Sequence, residues 1–501
     1  MTYWKLASST AAIALFSGAA FADVTPEDVW GSWQKELSAS GQTLTTGSAA
    51  QDGDAFVVTD LVVTSSQDGT TTTSTIPEVT FTDQGDGTVE ITMSDSYAIA
   101  FETAASGETP ASGAEITISH PGLSVIASGT PEATDYDFTA PEMKIALTKI
   151  DGADAAAAGA DVSALLTNVS GTYQMQPVEG GFNLASEFTA ESLAVNVKAK
   201  NPEDNSDVVL TASVTAPVFK LDGSFVGLEG ELPEALAKGF GMDLGVSYGA
   251  VSYDLSVTEA KGPTKITGSA QSGSFHLAMD AARLLYSSAG KGVSLSLSGP
   301  EIPLPQVNVS WAESAATFLM PIVASEEVQD FTFLAKVIDL TLPEDIWALG
   351  DPTGVLAHDP ATVILDTKGK VKLTTDIIDE AAMAALGDTP PGELHALDIN
   401  EIKVKVAGAE LTGAGAFTFD NTDLMTFGGV PAPTGKLDLA LTGGNKLLDG
   451  LVTLGLMTEE DATGARMMVA MFANPGAGED QLTSTLEFKD KHFYANGQQI
   501  Q

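Results

Sequence analysis

Gly245-Val-Ser247-Tyr-Gly249 has the spacing of a nucleophile elbow, in which a serine stands on a strained turn between a strand and a helix. That context is what would expose and activate the hydroxyl, and the flanking residues predict a different one. Val246 and Tyr248 alternate, and Val251, Tyr253, Leu255 and Val257 alternate again after a shift of one residue. The pattern predicts one strand with a bulge near Ala250 and no helix after it, so a serine hydrolase acting through Ser247 ranks third among the functional readings. The five histidines, His120, His276, His358, His395 and His492, are too scattered to place two on one face, which argues against a metal centre. His358, just before Asp359-Pro360, reads as a turn cap. The acidic runs Asp83 to Asp86 and Glu203 to Asp207 lack the residue order of a calcium loop and read as hairpin tips. No glycine loop precedes a helix in the manner of a phosphate cradle, and no carboxylate pair stands out as an acid/base dyad. The expectation is therefore no catalytic residue, no metal ligand and no cofactor.

The elements around these residues are mostly strands. Phe56 to Val63, Val89 to Met93, Phe182 to Phe188, Val208 to Val214 and Leu411 to Phe419 run apolar or alternate, with turn chemistry between them. In Ile402-Lys-Val-Lys-Val406 the alternation is unbroken, which buries one face and wets the other. The Ala-rich stretch Asp151 to Leu166 is expected as a loose helix, and Phe275 to Tyr286 fits helix or strand. Thr25-Pro-Glu-Asp28 caps an opening helix whose face is Val29, Trp30, Trp33 and Leu37, expected to pack into a core. Two short helices follow Asn445 and Thr458, and a closing hairpin turns at Asp490-Lys491.

Asp339 to Pro352 is the most heavily punctuated stretch of the chain. Pro343 suits a first helical turn, and Glu344 and Asp345 complement the helix dipole there. Ile346, Trp347 and Leu349 make an apolar face, and Gly350 and Pro352 stop the helix. These residues predict a structural plug inserted into the curve of a sheet, with no chemistry of its own.

Residues 1–22 read as a secretory signal peptide: Lys5, a short apolar core from Leu6 to Phe16, and Ala20-Phe21-Ala22 before a cleavage point between Ala22 and Asp23. Export to a periplasmic or extracellular compartment follows, as a soluble chain with no transmembrane segment after cleavage. With no cysteine, stability there rests on the core rather than on disulfides. A formal net charge of -44 repels phosphate backbones and excludes nucleic acid as a partner.

Asp23-Val-Thr-Pro-Glu-Asp-Val-Trp30, Leu342-Pro-Glu-Asp-Ile-Trp347 with Asp351-Pro352, and His358-Asp-Pro-Ala361 resemble the exported bacterial family catalogued as domain of unknown function 2125. The end of the chain is similar too: a strand, the Leu447-Leu448 helix, Gly455-Leu456, a second helix and two strands closing at Gly497 to Ile500. The resemblance spans nearly the whole chain after the leader and implies no known activity. In architecture alone the strand-rich pattern is loosely similar to AsmA-like envelope proteins, which build long β-grooves associated with lipids.

The fold expected is mainly β: a long curved antiparallel sheet, as a meander, groove or incomplete barrel, with a few short helices including an N-terminal helix and a C-terminal pair. It forms one β-rich domain over residues 23–501, with sublobes 23–262 and 263–501 meeting at Lys261-Gly-Pro. The leading functional reading is an envelope protein that binds a lipid or other apolar ligand in a β-groove. The second is a structural module, with a self-filled core, that interacts with envelope proteins.

Overall fold

A computed structural model describes residues 24–67, 69–105, 111–131, 133–151, 159–201, 204 and 206–501. The expected signal peptide and its cleavage residues Ala22 and Asp23 lie outside the described residues. The chain is mainly β with antiparallel pairing throughout, and it resolves into two compact units: Met1–Ser272 with Gly299–Glu301, and Gly273–Ser298 with Ile302–Gln501. The first unit takes in the strand Gly262–Ala270, so the division falls beyond Lys261-Gly-Pro.

The first unit opens with helix α1 (Pro26–Ala39). Asp28 N–H donates to Thr25 Oγ1 at 3.2 Å while Thr25 N–H donates to Asp28 Oδ2 at 3.1 Å, a complete capping box. Val29 and Trp30 are buried, as the spacing predicts, and the Phe81 ring lies 5.9 Å from Trp30 and 5.2 Å from Trp33. Under the helix the sheet presents Val58, Val79, Ile91, Val125 and Tyr136, all shielded from solvent. Each such side chain stabilises the fold by about 1.5–3 kcal/mol relative to exposure.

Strands in this unit bend at matched positions. Asp60, at φ 48°, falls opposite Pro77, and Asn168, at φ 46°, falls opposite Pro141. Proline has no N–H for the ladder, and Asp or Asn tolerates the left-handed backbone that turns the partner strand. Past each bend a strand changes neighbours. Residues 161–167 pair with Ser192–Lys200, and 170–178 with Gly181–Thr189. Of the helix expected over Asp151 to Leu166, residues 152–158 lie outside the described residues. Asp151 and residues 161–166 are strand instead, within Ala133–Asp151 and Asp161–Val178, and the second of these has ladder partners on both sides that outweigh local helix preference. A second helix, α2 (Leu232–Ala237), buries Ala235 and Leu236.

In the second unit each long strand pairs with its neighbour in sequence, nine in succession: Leu284–Ser298, Val307–Met320, Gln329–Leu340, Ala361–Leu373, Gly392–Val406, Ala409–Asp420, Ala432–Thr442, Gln481–Lys489 and His492–Ala495. Phe275 to Tyr286 resolves as a strand Ser272–Met279, a turn held by Asp280, and the start of the next strand. The last long hairpin turns at Asp490 and Lys491, both at positive φ (51° and 64°), as a two-residue hairpin loop requires. Four helices punctuate the ladder: α3 (Glu344–Gly350), α4 (Glu380–Leu386), α5 (Gly444–Thr453) and α6 (Glu459–Phe472).

Candidate ligand-binding face

Directly opposed residues of antiparallel strands share a face, so the register alone sorts the second unit's side chains. One row runs Val337, Val363, Val404, Leu411, Leu441, Leu482. A second runs Tyr286, Phe318, Phe333, Thr367, Ile399, and continues through Gly415 to Leu437 and Leu486. The opposite face carries ion pairs, Lys336 with Glu313 at 2.7 Å, Lys370 with Asp330 at 2.7 Å and Lys403 with Glu410 at 3.3 Å, around a buried Ile364. The alternation at Ile402-Lys-Val-Lys-Val406 is one line of this two-sided pattern.

The apolar face is not covered along its first five strands. Tyr286 is 41% exposed, Phe318 39%, Phe333 40%, Val363 48%, Leu365 37% and Val404 36%. At about 4.8 Å per strand, the stretch from Tyr286 to Val404 crosses about 19 Å of sheet. Bulges at Val337/Leu340, Asp366/Thr367, Lys370/Val371 and Ile399/Ile402 add local bends to these strands. Gly369 leaves room for the Phe331 ring: a Cβ there would lie 2.4 Å from the ring edge. Each roughly 100 Å² of such surface removed from water by a ligand returns about 2.5 kcal/mol.

The loop between Gln329–Leu340 and Ala361–Leu373 borders this region and contains the predicted plug. Asp339 takes a positive φ of 55° at the bulge and donates its N–H to Thr362 Oγ1. Pro343 is the cap residue of α3, one position ahead of the helical turn expected for it, and its carbonyl accepts from Ile346 and Trp347 N–H. Ile346 and Trp347 are half-buried, and Leu349 points outward at 67% exposure. Leu349 follows Trp347 by two positions, about 200° around the helix, so the two side chains cannot face the same neighbour. The Trp347 ring instead stacks on His358 at 4.4 Å and 7°. His358 Nδ1 lies 2.8 Å from Glu344 Oε2, and Nε2 lies 3.5 Å from Asp351 Oδ2, an ion-pair separation. The bond to Glu344 is the main reason the imidazole's pKa is raised. Burial works against the charge of Asp351, but the N–H groups of Val355 (2.9 Å) and Leu356 (2.6 Å), with His358, outweigh it and hold the carboxyl below its usual range. Leu356 then packs so closely on α5 that a Cβ at Gly450 would meet its side chain at 2.7 Å. The cluster fixes the loop. It holds no nucleophile.

The match to a family model covers this ladder, the loop and the helix pair, over residues 246–496, under the description of an uncharacterised protein conserved in bacteria (DUF2125). The chain belongs to the DUF2125 family. The DUF2125 match begins at residue 246, so the α1 segment that also carried the resemblance lies outside it. No curated protein and no solved structure matches the chain.

The remaining candidates do not assemble into a centre. Ser247 is exposed at the end of the strand Gly241–Tyr248, and the chain bends at Gly249 and Ala250 into the strand Val251–Glu259, with no helix following. Thr215 holds that bend, accepting from Gly249 N–H at its carbonyl and from Ala250 N–H at its hydroxyl, both at 2.8 Å. His120 is buried beside Tyr97, and burial pushes its pKa down. His276 sits in the strand Ser272–Met279, His395 lies 3.3 Å from Glu393, and His492 Nδ1 lies 2.7 Å from the Asp490 carbonyl. Asp83, Asp86 and Asp204 accept N–H groups of their own turns. Among the described residues no group of three or more His, Cys, Asp or Glu side chains could hold a metal ion, and no helix is long and apolar enough to cross a membrane.

Sequence reasoning missed Glu36. It lies on the buried side of α1 near Tyr136 and Tyr173, and burial pushes its carboxyl up to about 8 while holding both phenols protonated. The signal was available: Glu36 follows Trp33 by three positions and Val29 by seven, which places it on the packing face.

Proposed function

We propose that the open apolar face of the second unit binds the hydrocarbon chain of a lipid or a similar elongated apolar ligand. One observation carries this reading: aromatic and branched side chains from five adjacent strands stand more than a third exposed on one face, while the ion pairs lie on the other. At about 0.8 kcal/mol per CH₂, a sixteen-carbon chain returns on the order of 12 kcal/mol before the costs of association. Such a site needs no polar recognition residue. Export through the leader at residues 1–22 into a periplasmic or extracellular compartment is part of the proposal, and likeness to AsmA-like grooves supports it by analogy only. In native mass spectrometry of the purified chain, co-purified lipid is expected, and fluorescent fatty acid should bind in solution. Phe333→Lys and Leu365→Lys should abolish uptake while leaving the circular dichroism spectrum unchanged. Absence of both lipid and uptake in the unaltered protein would sink the reading.

A protein-interaction role is the second reading, favoured by the way the first unit fills its own inner face with α1. Pull-downs from cell envelopes separate the two: a stoichiometric protein partner without bound lipid favours the second. Ester hydrolysis lost on Ser247→Ala would revive the third.

A further inference from the structure

We propose that helix α6 carries a thioether site for a soft monovalent cation, copper(I) or silver(I), formed by Met467, Met468 and Met471. The three are 62%, 64% and 65% exposed, whereas the helix's buried anchor is Ala462, so packing makes little use of their side chains. At 100° per residue Met471 falls between the other two around the helix, four residues after Met467 and three after Met468. Those spacings bring Cβ atoms to about 5–6 Å, and methionine's three rotatable bonds let the sulfurs converge on one ion.

The helix is a firm platform. Thr458 caps it, accepting from Asp461 N–H at 3.1 Å, and Arg466 ties it to α5 through Asn445 at 3.1 Å and Asp449 at 2.5 Å. Neutral thioethers select soft ions by ligand type, and they need no deprotonation, so affinity should not depend on pH as it does at thiol or imidazole sites. The chain has no cysteine to compete for such an ion. The competing reading of the same residues is an apolar patch for a protein partner, and leucine separates the two: it keeps the apolar surface and removes the sulfur.

The test is calorimetric titration of the full chain with Ag⁺ in chloride-free buffer, with Cu(I) measured by competition against bicinchoninate. One equivalent should bind, with the same affinity at pH 5 and pH 8. Met471→Leu, which removes the thioether next to both others, should weaken binding on the order of tenfold or more. Met467→Leu and Met468→Leu should each weaken it less, and the triple leucine variant should lose it with its circular dichroism unchanged. Met425→Leu, at a residue 91% exposed outside the helix, should change nothing. Unaltered binding by the triple variant would overturn the site, as would equal weakening by Met425→Leu or a loss of affinity on acidification.

Discussion

The two units follow one rule, strands with an apolar side and a polar side, and finish it differently. The first lays α1 over the apolar side of its early strands, and Phe81 vanishes beneath Trp30 and Trp33, while Val209, Phe219 and Tyr253 further along the unit stay 37–38% exposed. In the second, Phe318 and Phe333 sit side by side across a strand pair at 39% and 40% exposure. Strand patterning therefore does not decide whether a face becomes a core or a surface. That depends on a covering element of sufficient length. The fourteen-residue α1 brings two tryptophans to its sheet, while the seven-residue α3 directs its one tryptophan to a histidine in its own loop.

The contrast breaks most directly at the phenylalanines. Phe81→Ala should cost about 3–5 kcal/mol in urea denaturation, and Phe333→Ala no more than about 1 kcal/mol. Equal costs would mean the second face is a core after all. Glu36 tests the filled side next. Its folded pKa of about 8 stands above the ordinary value near 4.5, so the folded state holds the proton more tightly and stability falls as pH rises between those values. Glu36→Gln should leave stability unchanged at pH 4 and raise it by roughly 4–5 kcal/mol at pH 9. A flat difference across that range would remove Glu36 from the buried side. Trp347→Ala should cost about 2 kcal/mol, less than the 3–5 expected for a fully inserted plug, because the ring is half-buried and loses mainly its stack on His358. The smallest effect concerns that histidine. Its raised pKa means that its attraction to Glu344 is complete below the ordinary imidazole range and lost as pH rises through the folded value. Glu344→Gln should move the His358 ring-proton titration downward by NMR; an unmoved titration would leave the loop without its ion pair.

Much of the fold was legible where a local signal and the tertiary outcome agree. Thr25 and Asp28 announce the capping box, and Ile402 to Val406 announces a two-sided strand. Residues 161–166 are strand rather than helix because ladders flank them on both sides, a tertiary outcome that no local signal announces. The apolar face was half legible. Alternation shows that one side is apolar, but nothing in Phe318 or Leu365 says whether another element will cover it. The loop cluster was visible as family markers, yet the stack of Trp347 on His358 was not, since the residues are eleven apart with no periodic relation. Glu36 needed only the helical spacing already used for Trp33, applied to a polar residue.

The ladder of the second unit has a consequence for how its length could change. The nine strands of the ladder bond in order, so duplicating a hairpin such as Ala409–Asp420 with Ala432–Thr442 would interrupt no crossover and need no new register. Every added hairpin would widen the face by about 10 Å, two strand spacings. A sheet wired this way can be widened or narrowed by insertion or deletion alone. The first unit cannot, because its strands change partners at bends that must stay aligned with one another.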